Sequence, residues 1–144
     1  MRAKNERLET LEQICLQFGV AALFAFGSRA KEVSRWFTGQ RLRLESSLSD
    51  VDIGVKAMAD VTWSVAEKVR LAVALEGLLE CPRVDLVALD EADPFLAAEV
   101  IRGERLFARD ESVADEYDLY VLRRAGDLAP LEKVRMALVL GEAE

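Results

Sequence analysis

The sequence predicts an α/β (α+β) domain, a small β-sheet flanked by helices, and three observations carry that prediction. In some long segments apolar residues recur at spacings of three and four, the helical period, while several short segments are continuously apolar or alternate, the strand pattern. The two kinds of segment follow one another without a repeat, a low-complexity tract or a linker, so residues 1–144 read as a single domain. A length of 144 residues with 51% hydrophobic content is enough to bury a core.

Residues 4–18 carry Leu8, Leu11, Cys15 and Phe18 on one helical face, with Ile14 beside them, and Gly19 ends the helix. Val20 to Phe26 is an apolar run bounded by Gly19 and Gly27, which fits a buried strand. Gly27-Ser28 reads as a turn into a helix whose free backbone N–H groups suit a phosphate; a plain N-capped turn would leave the same signature. The helix that follows has Trp36 and Phe37 for an apolar face and stops at Thr38-Gly39. Gln40 to Glu45 is then expected to be a mobile loop or a short hairpin, and Ser46 to Ser49 a polar turn.

Asp50 to Lys56 is expected as a strand whose period of two sends Val51, Ile53 and Val55 to one face and Asp50, Asp52 and Gly54 to the other. Cα atoms two residues apart on a strand are ~6.6 Å apart. Two carboxylates so placed repel each other, and a divalent cation is the natural compensation, although a solvated strand edge would account for them too. Ala59 to Leu79 reads as a long helix with a Ser64/Glu67 capping box and a buried stripe of Val65, Val69, Ala72, Leu75 and Leu79. Cys81-Pro82 breaks it, and Arg83 to Leu89 is again a strand in which Asp85 is the lone charge beyond the opening arginine.

Asp93 and Pro94 open a helix that Gly103 closes, and Glu104 to Ala108 fits a short edge strand. Asp110 caps a helix through Arg124. After Gly126 and Pro130 a last helix is expected, with Leu131, Val134 and Leu138 at helical spacing, so that residues 110–144 form a helical C-terminal extension. That stripe either packs on the domain's own core or docks a partner.

Composition narrows the chemistry. There is no histidine, so Ser-His and Cys-His catalysis are excluded and acid-base or metal work falls to Asp and Glu. Cys15 and Cys81 fit no metal-ligand spacing and read as reduced, structural residues. With no run of eighteen apolar residues and a polar start, the expected protein is soluble and cytoplasmic, with no membrane association. The net charge is −7, all of it in Asp90 to Asp118, where ten acidic residues face three basic ones. Arg29 to Glu45 is the reverse, with five basic and two acidic residues. Binding to duplex nucleic acid is not expected from such an acidic chain, while the local basic stretch could hold a triphosphate.

Gly27-Ser28, then Ser49-Asp50-Val51-Asp52, then a lone Asp85 in a later apolar strand resemble the minimal nucleotidyltransferases (MNT-like) of the DNA polymerase beta superfamily. The resemblance covers residues from about 8 to 125, and takes in the Val84-Asp85-Leu86-Val87 strand, the Ile101 to Phe107 segment and the tyrosine-bearing helix after it. It implies a polymerase-beta-like nucleotidyltransferase fold built on a mixed sheet. It further implies Mg2+ held by Asp50, Asp52 and Asp85, a base role open to Asp85, and nucleotide contacts from Gly27, Ser28, Arg29 and Ser49.

Small proteins of this kind resemble the MntA-type antitoxins of toxin-antitoxin pairs, which implies transfer of AMP from ATP to a tyrosine of a HEPN-type toxin partner. Two departures stand out. Arg29-Ala30-Lys31-Glu32 replaces the usual x-Ala-Arg-Gly after Gly-Ser, and the spacer from Ser28 to Asp50 is longer than usual. The alternatives are an antitoxin or nucleotide-binding module that acts by docking, and transfer to a small molecule, for which a homodimer could supply the missing wall of the site.

Overall fold

The computed structural model describes residues 2–45 and 50–141, with side chains from residue 6 onward, so the Ser46 to Ser49 turn lies outside the described residues. Among the described residues four strands form one sheet: β1 (Val20–Phe26), β2 (Val51–Ala57), β3 (Val84–Ala88) and β4 (Glu104–Ala108), in the order β3-β2-β1-β4. β1 runs antiparallel to both β2 and β4, and β2 runs parallel to β3, so the sheet is mixed as expected. A parallel pair needs a crossover, which α3 (Val65–Leu79) supplies between β2 and β3. The other helices are α1 (Arg2–Phe18), α2 (Ala30–Phe37), α4 (Pro94–Ile101) and α5 (Glu111–Leu140).

The strand period divides the core into two layers. Leu23 and Ala25 of β1 join Val51, Ile53 and Val55 of β2 against Leu11 and Cys15 of α1 and the leucines of α3. Ala22, Phe24 and Phe26 face the opposite way, onto Ala97, Ala98 and Val100 of α4 and Ala114, Val121 and Ala125 of α5. On that second face β2 presents Gly54 where α4 crosses, and a Cβ there would stand 2.3 Å from Val100 Cγ1. The missing side chain is therefore what lets α4 lie close on the sheet.

Long-range hydrogen bonds from Trp63 and Arg109 tie the end of α1 to the rest. Trp63 Nε1 donates to the Phe18 carbonyl at 2.6 Å. Arg109 Nε donates to the Val20 carbonyl at 3.0 Å and its Nη2 to the Cys15 and Leu16 carbonyls at 3.4 Å. The last turn of α1 has no basic residue of its own, so Arg109 brings the cation that a helix C-terminus favours from the far end of β4.

Three sequence expectations need correction. Helix α3 starts at Val65, six residues later than Ala59, with Ser64 and Glu67 forming the expected capping box. Its buried side chains are Leu71, Leu75 and Leu79, while Val65 and Val69 are exposed. Apolar residues occupy several faces of this helix, and the face with the larger leucines buries more area against the sheet.

The helical extension is one continuous helix through Pro130, without the expected break. Proline removes the hydrogen bond to the carbonyl four residues back, which here belongs to Gly126. Both residues are exposed and nothing lies within 4 Å of a Cβ built on Gly126, so water can reach the freed carbonyl. Residues 40–45 are a loop, the first of the two forms expected there.

Cys15 and Cys81 are free and buried, as read from the sequence. Burial pushes the Cys15 thiol up to about 12, far from any nucleophilic role at neutral pH. No helix among the described residues is long and apolar enough to cross a membrane. The Gly54 contact yields a direct test. Gly54→Ala should lower unfolding free energy by about 1–3 kcal/mol, and pairing it with Val100→Ala should cost less than the sum of the two single changes in urea denaturation.

Candidate active site

The site lies where β1 ends. Phe26, the last residue of β1, pairs with Asp52 of β2, and Asp52 pairs with Asp85 of β3, so a single row across three strands carries two of the sequence-predicted carboxylates. Asp50 stands just before β2, one pleat away on the same face. Gly27 follows Phe26 with φ +75, a left-handed conformation suited to glycine. A Cβ on Gly27 would stand 2.5 Å from Asp52 Oδ2. Only a residue without a side chain lets the turn pass over that carboxylate.

After Gly27 the chain makes a 3₁₀ turn, Gly27–Arg29, that leads straight into α2, and no side chain caps either start. The corner therefore has no side-chain cap of its own, and Gly27 and Ser28 are both exposed.

The electrostatics around Asp52 are strained. Partial burial raises its pKa first, and the nearby carboxylates of Asp85, Asp50 and Glu99 raise it further. Asp50 meets Arg83 in a surface ion pair at 3.6 Å, where Arg83 is 76% exposed. Such a pair is screened and weak. Among the described residues no three His, Cys, Asp or Glu side chains are drawn close enough to hold a metal ion as they stand. The donors nevertheless fit a hard cation: all are carboxylate oxygens, they face one another, and their repulsion is what a bound divalent ion would relieve.

A cavity of ≈ 370 Å³ opens beside this row, lined by Gly27, Ser28, Lys31, Glu99 and Arg102 among others. It lies in the path of the chain from α4 into β4. A Cβ on Gly103 would stand 2.3 Å from the Ala25 carbonyl oxygen, so this connection crosses directly against the end of β1. Close passage there carries Glu99 and Arg102 to the Gly-Ser corner.

The basic spacer is fastened rather than loose over its described length. Arg29 is buried, with its Nε and Nη2 donating to the two carboxylate oxygens of Glu32 at 2.9 and 3.1 Å, and Nη2 also to the Glu45 carbonyl at 2.7 Å. The Glu45 N–H donates to Glu32 in turn, and the Arg29 guanidinium holds the Glu32 carboxyl below its usual range. Farther along, Arg7 of α1 donates to the carbonyls of Trp36, Arg41 and Leu42 at 2.6, 2.9 and 2.8 Å, with its guanidinium 4.1 Å from the centre of the Trp36 ring.

The structure thus brings Gly27, Ser28, Asp50, Asp52 and Asp85 to one end of the sheet. Arg29 is close by in the chain, but its guanidinium serves Glu32 and Glu45. Ser49 lies outside the described residues. Glu99, Lys31 and Arg102 were not singled out by sequence reasoning. For Glu99 a signal existed: it is the lone charge in the otherwise apolar α4, the same cue that drew notice to Asp85. Lys31 was covered only as part of the basic stretch after Gly-Ser, and nothing comparable marks Arg102, an exposed cation at the end of α4.

Comparison with known proteins agrees with this geometry. The family described as Polymerase beta, Nucleotidyltransferase matches residues 9–112. No curated protein matches the chain by sequence. Similar solved structures include a toxin-antitoxin with AMP-PNP, at 20% identity and TM-score 0.67 over 92% of this chain and 98% of that one. The toxin-antitoxin MntA-HepT aligns at 17% identity and TM-score 0.67, over 94% and 98% of the two chains. A complex of a tri-AMPylated Shewanella oneidensis HEPN toxin with MNT antitoxin aligns at 17% identity and TM-score 0.67, over 95% and 98%. At these identities the likeness is one of fold.

Because Asp52 has a raised pKa, its ionised form at neutral pH disfavours the metal-free fold. Asp52→Asn should therefore raise the Tm of protein kept in EDTA, while Mg2+ should raise the Tm of the unaltered chain and leave that variant unmoved. Differential scanning fluorimetry reads both.

Proposed function

This chain belongs to the polymerase beta nucleotidyltransferase family, and on that premise we propose that it is a Mg2+-dependent nucleotidyltransferase that transfers AMP from ATP to a hydroxyl, a tyrosine of a HEPN-type toxin partner. The observation that carries the proposal is that the exposed, uncapped Gly27-Ser28 turn passes directly over Asp52, which stands in register with Asp85. A phosphate acceptor site and an acidic site that share one edge are what nucleotidyl transfer requires.

In this reading the backbone at Gly27 and Ser28 receives phosphate oxygens. Asp50, Asp52 and Asp85 are the residues that would hold Mg2+, which supplies charge neutralisation on the phosphates of a bound nucleotide. The acceptor hydroxyl oxygen bonds to the α-phosphorus, the bond from that phosphorus to the pyrophosphate oxygen breaks, and the hydroxyl proton passes to a carboxylate. Asp85 suits that last role because it is exposed and sits on the edge strand β3, paired in register with Asp52.

The partner assignment draws on the toxin-antitoxin structures that share this fold, and on the end of α5. Leu131, Val134 and Leu138 there are 69%, 58% and 64% exposed, so this stripe is not used by the domain's own core. An apolar helical face left open in this way fits docking by a helical protein. The same face favours a second reading, in which the chain neutralises its partner by docking alone.

Incubation with α-labelled ATP, Mg2+ and the toxin encoded beside it should place label on the toxin. Asp85→Asn should slow labelling by roughly 10²–10⁴-fold, and absence of label on the toxin with the unaltered chain would refute the transfer. In cells, the double change Asp50→Asn and Asp52→Asn should abolish neutralisation; survival of neutralisation would favour docking alone.

A further inference from the structure

We propose that α5 pairs with itself: two copies of this chain associate through it, antiparallel, about a two-fold axis that passes between Ala125 and Gly126. None of the site carboxylates takes part, so the pairing stands apart from the transfer reading. The pattern that carries it runs along one side of the helix. Val113, Tyr117, Tyr120, Arg124, Asp127, Leu131, Val134 and Leu138 follow one another at alternating spacings of four and three, the a and d positions of a heptad repeat. At ~1.5 Å per residue this seam is about 38 Å long. It is not the face that the domain buries, since α5 packs on α4 and the sheet through Ala114, Val121 and Ala125. Of the seam residues only Tyr117 is half-buried, and the rest are exposed.

The charges in the seam choose its occupant. In an antiparallel pair each a position faces a d position of the other helix. About the proposed axis Val113 faces Leu138, Tyr117 faces Val134, Tyr120 faces Leu131 and Arg124 faces Asp127, and symmetry makes each pair twice. Every apolar or aromatic residue then meets an aliphatic one, and each charge meets its opposite. A shift of one heptad in either direction sets Arg124 and Asp127 against tyrosine or aliphatic residues. Parallel pairing in register would set Arg124 against Arg124 and Asp127 against Asp127, like charges in neighbouring layers. A single polar layer within an apolar seam is how coiled coils fix register. The occupant that this seam complements is thus a second, reversed copy of itself.

The surface beside the seam has room for the second copy's side chains. A cavity of ≈ 210 Å³ is lined by Tyr117, Tyr120 and Arg124 together with Pro94 and Ala97. In the proposed register Leu131 and Val134 of the other copy stand opposite Tyr120 and Tyr117, at the mouth of this cavity. A cavity of ~150 Å³ already admits a benzene-sized group, so an aliphatic side chain fits. Arg124 Nη1 donates to the Tyr120 hydroxyl at 3.2 Å, which holds the guanidinium along the seam. A toxin that docks on the same stripe would have to separate the pair.

The test is sedimentation equilibrium of the full chain without toxin, where the unaltered chain should run as a dimer. Leu131→Asp should weaken association roughly 10-fold or more. Arg124→Asp and Asp127→Arg each place like charges at the central layer and should weaken it similarly, while the two together should restore most of the loss. Val73→Asp, on an exposed position of α3, is the control and should leave the dimer intact; circular dichroism checks that every variant is folded. Orientation is read by mild oxidation: Leu131→Cys alone should not cross-link, whereas Tyr120→Cys with Leu131→Cys should. A monomeric unaltered chain, a dimer that Leu131→Asp leaves intact, a double charge change no tighter than the single ones, or cross-linking by Leu131→Cys alone overturns the pairing. Each of these results leaves the nucleotidyltransferase reading in place, and failure of the labelling experiment leaves the pairing in place.

Discussion

Asp52 is crowded from three sides, and much of the molecule is arranged to tolerate it. Gly27 passes over it, Asp85 stands opposite it on β3, and the charges of Asp50 and Glu99 reach it from the start of β2 and from α4. A carboxylate partly withdrawn from water and surrounded by its own kind is costly, and nothing in the core compensates for that cost. The requirement for a left-handed residue without a Cβ at position 27 follows directly from it. So does the placement of the site at a sheet end rather than within the core, since a cation and an anion must both be able to enter.

The rest of the fold can be understood as holding this corner open and rigid. The spacer between Ser28 and Asp50 could drift over the site. Instead Arg29 and Glu32 clamp its far end at Glu45, and Arg7 clamps its middle at Arg41 and Leu42. Glu32 stands where related turns usually have glycine, and its carboxylate is what joins the two ends of the spacer. On the other side, the missing side chain of Gly54 lets α4 settle on β2, and that of Gly103 lets the next turn cross the end of β1. These close approaches set where Glu99 and Arg102 lie. The acidic excess of residues 90–118 is partly spent inside the domain, on Arg105, rather than being wholly available to a partner.

Particular residues show what could be read from sequence and what could not. All four strands were legible, because apolar runs bounded by glycine or proline and strict alternation are local signals. The N-caps Ser64, Asp93 and Asp110 were legible for the same reason. The stripe of α3 was right at Leu75 and Leu79 and wrong at Val65 and Val69, since several faces of this helix are apolar and only the sheet chooses among them. The break at Pro130 was expected from the proline alone, whereas exposure of the Gly126 carbonyl removes the reason for a break. Arg29 read as a surface cation with a nucleotide to meet, yet Glu32 one helical turn later buries it.

By itself the sequence determined the elements, the acidic strand and the pairing of a glycine-serine turn with carboxylates, because each of these is set by neighbours a few residues apart. Tertiary structure alone decided which charges face one another. Asp52 and Asp85 are 33 positions apart and meet only through the parallel register of β2 and β3. Lys31 and Arg102 are 71 positions apart and share a cavity only because α4 rests on Gly54 and the chain turns at Gly103. Charge acts through space, whereas periodicity acts along the chain, and so the kind of chemistry was legible before the residues that complete it.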